Sequence, residues 1–274
     1  MTDEMVNEPT CDGQVNTYDL KPRYEVWLPP SRSGGAASPW RRSKPRTGNY
    51  TVIYVNGMRG SPAKHRAQAL MISAVSGGPV IGVYNGTRGV ILDFLQSIGD
   101  KATTRAQLER DARWDRQLCG NQGRLLQWKL ERQNRATAAL FELLLRSRTG
   151  HDIRLVGHSQ GNLIICNAVN ALVALQGRQV TRRLRIYALA SPNANWSEAR
   201  DRVTTFTFSN DPIAWIGGNA SGPRVRCGYR PLVARHTDVV LDYSRSLAPN
   251  QVVTHSMYIY LAEFWDRLHR CFHG

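Results

Sequence analysis

The chain has 274 residues, 42% of them hydrophobic and 21% charged, which suits one folded domain with a sizeable core. That balance excludes a short interaction motif, a disordered segment and a membrane-embedded bundle. Thirty-six Lys and Arg against 21 Asp and Glu leave a net charge of +15, which favours an anionic partner: nucleic acid, an acidic membrane surface or an anionic substrate.

Residues 1–23 carry Asp3, Glu4, Glu8, Asp12 and Asp19 and no apolar run, so they lack the basic and apolar regions of a secretory signal. The expectation is a protein that is cytoplasmic as synthesised, without a transmembrane helix, with non-classical export left open. Cys11, Cys119, Cys166, Cys227 and Cys271 are odd in number and scattered, with no C-x-x-C pair, which suits reduced thiols better than disulfides or zinc. Residues 1–50 read as a basic, loosely structured N-terminal arm, because SRSGGAAS (31–38) is followed by Arg41, Arg42, Lys44 and Arg46.

From Thr51 the texture changes. TVIYVNG (51–57) predicts a buried strand ending in a tight turn, Pro62 to Ala74 a helix, and PVIGVYNG (79–86) a second strand. Further strands are predicted at Asp152–His158, Arg185–Ser191, Val203–Ser209 and His236–Tyr243, with helices near Gln160–Ala174 and Ser256–Arg270. Apolar strands alternating with helices call for an α/β fold with a mostly parallel sheet flanked by helices. A long helical span, about 90–148, exceeds what one crossover needs and predicts an insert before the strand at Asp152, able to cap the sheet. The folded domain is thus expected over 51–274.

Gly157-His158-Ser159-Gln160-Gly161 is a G-x-S-x-G sequence that follows the strand IRLV and opens the helix NLIICNAVNALVAL. In that strand-turn-helix setting a serine is forced onto a sharp turn with its hydroxyl exposed above the sheet, and the flanking glycines permit close backbone approach. With this motif, the chain from about Thr51 onward resembles the α/β-hydrolase superfamily. The resemblance implies a triad in the order Ser, Asp or Glu, His, on loops at the carboxyl ends of strands.

Asp211 follows VTTFTFS directly and so stands at the carboxyl end, whereas Asp201 precedes that strand and Asp238 lies near the start of the next; Asp242 remains the competitor. His255, just before MYIYLAEFWDRL, stands where the histidine loop of such folds meets the last helix. His236 opens the final strand, about 20 Å below the site at about 3.3 Å per residue. His158 should point away from the nucleophile, in a structural role. The resemblance then implies Ser159 as nucleophile, His255 as base and Asp211 as its orienting acid, with oxyanion donors at the backbone of Gln160 and of the turn after the first core strand, nominated as Met58. That turn has Asn56-Gly57 where many lipases have His-Gly, which leaves Gly57 or Met58 as the donor.

Asp211-Pro212-Ile213 and His255-Ser256 ahead of Tyr260-Leu261 are similar to bacterial lipase- and esterase-like hydrolases, some of them phospholipase effectors. The expectation is a serine hydrolase of a carboxylic ester, with lipid as the leading substrate class, without cofactor or metal. Acyl transfer on the same fold is the alternative. A basic nucleic-acid- or membrane-binding protein without catalysis has less in its favour, since no nucleic-acid-binding signature accompanies the charge. The two most basic blocks, residues 29–50 and 101–150, supply no triad residue; they are candidates for holding the protein against anionic lipid. Trp215 could line the acyl pocket.

Overall fold

In the computed structural model the described residues are 9, 11–19, 49–58, 60–86, 105–120, 122–147, 150–192, 196, 198–208, 211, 213, 237–241 and 255–273. Among the described residues, seven strands form one sheet in the order β1-β3-β2-β4-β5-β6-β7. They are β1 (Val15–Tyr18), β2 (Tyr50–Val55), β3 (Val80–Val83), β4 (Asp152–His158), β5 (Leu184–Leu189), β6 (Val203–Phe208) and β7 (Thr237–Leu241). All neighbours run parallel except β1, which pairs antiparallel with β3 at one edge. β1 falls within residues 1–50, the stretch expected as a loose arm. Its burial is half-open, with Tyr18 buried and Val15 exposed, so it lacks the apolar run that marks the parallel strands.

Side-chain alternation along the inner strands explains why helices cover both faces. Ile53, Val55, Ile153, Leu155, Ile186 and Ala188 point into one core; Val52, Tyr54, Val156, Tyr187 and Leu189 point into the other. Helices α1 (Pro62–Ser76) and α6 (Met257–His273) pack against each other and fill the second core, where Phe206, Phe208, Tyr260 and Phe264 form an edge-to-face aromatic group. On the first face α5 (Gly161–Gln176) lies on the sheet, and α2 (Arg105–Cys119), α3 (Arg124–Gln133) and α4 (Arg135–Arg146) pack on and beside it.

Those three helices occupy much of the span expected as an insert. They are fastened along the flank of α5: Leu140, Phe141 and Leu144 of α4 belong to the same core as the strands, and Arg116 Nη1 donates to the last carbonyls of α5, Ala174 O at 3.0 Å and Leu175 O at 3.2 Å. Asp115 of α2 accepts from Leu125 N and Leu126 N, capping the start of α3, and Asp111 pairs with Lys129. These buried carboxylates turn inward, while Arg110 and Arg113 of α2 stay exposed.

His65 of α1 is fully buried against β3. Its ring lies 5.4–5.6 Å from those of Tyr18, Tyr54 and Tyr84, neither ring nitrogen has a hydrogen-bond partner, and burial pushes its pKa down to about 4.

The chain leaves β2 toward β3 on one side, then returns to β4 on the other side of β2. This makes the carboxyl ends of β2 and β4 a switch point, the place where an open parallel sheet forms a crevice.

Candidate active site

Ser159 stands immediately beyond β4, at that switch point. It has φ 52°, a left-handed conformation that costs a non-glycine residue energy and is held here by several bonds. Ser159 N donates to Leu189 O at 3.0 Å; Ser159 O accepts from Asn162 N at 3.0 Å and from Asn162 Nδ2 at 3.1 Å; and Asn162 Nδ2 also donates to Leu189 O at 2.9 Å. Asn162 thus clamps the elbow to the end of β5. The elbow also demands glycine next to it: a Cβ on Gly161 would stand 2.3 Å from Val55 O, and one on Gly57 would stand 2.9 Å from Ser159 Cβ. The turn after β2 and the nucleophile turn are therefore in backbone contact.

Three of the expected site residues come together in one hydrogen-bonded chain. His255 Nε2 lies 2.8 Å from Ser159 Oγ, and His255 Nδ1 lies 3.0 Å from both carboxylate oxygens of Asp211. Nδ1 faces a carboxylate, so it carries the proton and leaves Nε2 free to accept from Oγ. Ser159 and Asp211 are buried, while the His255 side chain keeps 22% of its surface exposed, so solvent reaches the imidazole but not the carboxylate.

Asp211 accepts two more bonds, from Tyr260 Oη at 2.6 Å and Ile213 N at 2.9 Å. Burial alone would raise its pKa, but the His255 hydrogen bond and charge, then Tyr260 and Ile213, hold the carboxyl below its ordinary value. Burial and the neighbouring carboxylate push the Tyr260 phenol well up, so it stays a donor. Behind His255, His158 Nε2 donates to His255 O at 3.0 Å with the two rings 5.2 Å apart. Burial, then the proximity of His255, push His158 down to about 3, so it is neutral.

A model for the family described as "Alpha/beta hydrolase of unknown function (DUF900)" matches residues 123–217, which run from α3 through the elbow to beyond Asp211. The serine on a sharp turn at the switch point of a mostly parallel sheet flanked by helices is the fold-level arrangement of α/β hydrolases. Over the matched stretch, about a third of its length, the chain is similar to this α/β-hydrolase family. Solved structures similar to this chain include one titled as an arylesterase, at 12% identity and TM-score 0.36, covering 82% of this chain and 77% of that one. Another is a hyperthermophilic esterase from the archaeon Pyrobaculum calidifontis, at 14% identity and TM-score 0.37, covering 98% of this chain and 86% of that one. No curated protein matches it.

The other expected residues take these places. Gln160 follows Ser159 and opens α5, and its Oε1 accepts from Asn85 Nδ2 at 2.8 Å; Met58 follows Gly57 in the turn that touches the nucleophile. Asp201 lies in the turn before β6, at the amino end of the strands, and Asp238 lies within β7. Asp242, His236, Trp215, Cys227 and the Arg41, Arg42 and Lys44 cluster lie outside the described residues. Cys11, Cys119, Cys166 and Cys271 form no disulfide among the described residues. Among the described residues no three His, Cys, Asp or Glu side chains gather to hold a metal ion, and no helix is long and apolar enough to cross a membrane.

Sequence reading missed two contributors. His158, expected to be structural and turned away from Ser159, donates to the His255 carbonyl and lays its ring 5.2 Å from the His255 ring, so it braces that side chain. Tyr260 stands five residues after His255, one helical turn into α6, a spacing that would have allowed it to reach back to the acid.

Proposed function

We propose that this protein is a serine hydrolase that cleaves a carboxylic ester through an acyl-enzyme. The single observation that supports the reading most is the unbroken hydrogen-bond chain from Ser159 Oγ through His255 to the ionised Asp211. As Oγ attacks the ester carbonyl, His255 Nε2 takes its proton, and Asp211 stabilises the imidazolium that forms. The negative charge moves to the carbonyl oxygen, where the N–H groups of Gln160 and Met58 receive it. His255 then protonates the leaving alcohol, and water, activated by the same imidazole, frees the acid. An active-site fluorophosphonate is expected to label Ser159, and Ser159→Ala is expected to lose both labelling and hydrolysis of p-nitrophenyl esters. Unchanged esterase activity in Ser159→Ala would overturn the proposal.

Lipid esters are the substrate class we favour. Trp114 and Leu118 of α2 and Trp128 of α3 are 51%, 73% and 52% exposed among arginines, and the Arg132 guanidinium lies 5.0 Å from the Trp128 ring. Large apolar side chains mixed with cations suit an anionic lipid surface. Binding to phosphatidylglycerol vesicles that exceeds binding to phosphatidylcholine vesicles, and that falls in Trp114→Ser/Trp128→Ser, supports this; equal binding to both vesicle types overturns it.

A further inference from the structure

We propose that Asn56, held in place by Asn85, is a positioning residue that aims the Met58 N–H at the oxyanion. This inference rests on the serine-hydrolase reading above and explains why the turn after β2 carries Asn-Gly.

Asn56 is 1% exposed and Asn85 fully buried, at the carboxyl ends of the adjacent strands β2 and β3. The Asn56 side chain replaces a missing rung of the ladder between them: Oδ1 accepts from Asn85 N at 2.8 Å, and Nδ2 donates to Asn85 O at 2.9 Å. The same Nδ2 donates to Gly57 O at 2.8 Å. The amide is thereby fixed at both ends, and it in turn fixes the Gly57–Met58 peptide.

A trans peptide carries its C=O and N–H on opposite sides, and no cis bond occurs here. With Gly57 O drawn inward to Asn56, the Met58 N–H must point outward. Gly57 touches Ser159, since a Cβ there would stand 2.9 Å from Ser159 Cβ, so outward at this point is the nucleophile cleft. Among the described residues the Met58 N–H has no acceptor. The second proposed donor is set by the same logic: Ser159 O is drawn into α5 by Asn162, which turns the Gln160 N–H the opposite way. Asn85 Nδ2 joins the two turns through Gln160 Oε1. The two donors are thus preorganised by three buried asparagines, and such preorganisation is where oxyanion stabilisation gains its strength.

The test compares wild type with Asn56→Ala and Asn56→Asp at pH 8. The alanine removes all three bonds; the ionised aspartate keeps the volume and the bond from Asn85 N but cannot donate to Gly57 O. If the alanine chain does not fold, the aspartate still carries the test. Loss of one oxyanion donor costs 10²–10³ in kcat in a well-studied protease, so a misaimed one is expected to lower kcat for p-nitrophenyl butyrate by about 10- to 100-fold. Affinity for butylboronic acid, whose tetrahedral adduct on Ser159 mimics the oxyanion, should fall by a similar factor. KM and the acid limb of the pH–rate profile should not move, because the triad is untouched.

Wild-type labelling at Ser159 with equal kcat and boronate affinity in a folded variant overturns this inference alone. Parallel loss of kcat and of KM, with boronate affinity unchanged, also overturns it. Failure of wild type to be labelled at Ser159 overturns both this inference and the hydrolase reading.

Discussion

The Tyr260 hydroxyl donates to Asp211 Oδ2 at 2.6 Å while accepting from Phe208 N at 3.2 Å, so one side chain of α6 joins the end of β6 to the acid of the site. The acid, which belongs to a loop, is thereby referenced to the sheet and to the last helix at once. That relationship makes Tyr260 the side chain whose removal should alter the charge balance of the triad without touching the substrate.

In Tyr260→Phe the Asp211 anion loses a donor. Its own pKa should rise, so the acid limb of kcat/KM is expected to shift to higher pH, and the less firmly held carboxylate should reduce activity at pH 8 roughly tenfold, the scale of a hydrogen bond to a charged group. A profile superimposable on wild type would show that Tyr260 only packs.

Asp211→Asn should be more damaging. The amide can donate to His255 Nδ1 and so favours the tautomer with the proton on Nε2, where it opposes proton transfer from Ser159. Loss on the order of 10⁴ in kcat is the scale of such a change in a protease triad. Steady-state kinetics checks the rate, and thermal unfolding near the wild-type temperature checks that the chain is still folded; loss of less than tenfold would count against Asp211 as the acid.

Buried neutral histidines should make the fold acid-sensitive. His65 and His158 have folded-state values pushed to about 4 and about 3, below the ordinary 6.5. The unfolded chain therefore binds protons that the folded chain refuses. The stability these neutral rings allow is fully present above pH 6.5 and is lost as pH falls toward 4 and 3, at up to about 1.4 kcal/mol per pH unit for each histidine. Urea unfolding at pH 7, 6 and 5 should show the decline, and His65→Leu should flatten it by about one proton. An unchanged slope would mean that His65 titrates alike in both states.

Gly161 gives a prediction of opposite sign to helix propensity. Alanine in a helix usually gains 0.5–1 kcal/mol over glycine, roughly. Here the added Cβ would stand 2.3 Å from Val55 O and 2.9 Å from Asn56 O, which are backbone atoms of β2 and its turn. Gly161→Ala is expected to destabilise by about 1–3 kcal/mol, the scale of overpacking, and to displace the turn that touches Ser159. Denaturant titration tests it; a stabilised variant would show that the turn yields freely.

Much of this was legible along the chain because it depends on local order. The strand at Asp152–His158, the glycines around Ser159 and the helix after them are dictated by apolar period and by the steric needs of one turn, and they appear in the structure as β4, the elbow and α5. The positions of Asp211 and His255 at strand and helix ends are readable in the same way. β1 was not legible, since an edge strand with one open face carries too little apolar pattern, and its pairing with β3 is a long-range event. The three helices of residues 105–146 were legible as helical but not as to place.

The sequence by itself determined an α/β sheet, a sharp strand-to-helix turn at Ser159 and the chain order of a serine, an aspartate and a histidine. Only the tertiary structure decided that His158 would brace His255, that Tyr260 would hold Asp211, and that Asn56 would turn the Met58 peptide outward. These are contacts between residues 29 to 97 positions apart, or bonds whose direction depends on a neighbouring strand. Periodicity reports which face a side chain takes; it holds no record of what arrives on that face from elsewhere in the chain.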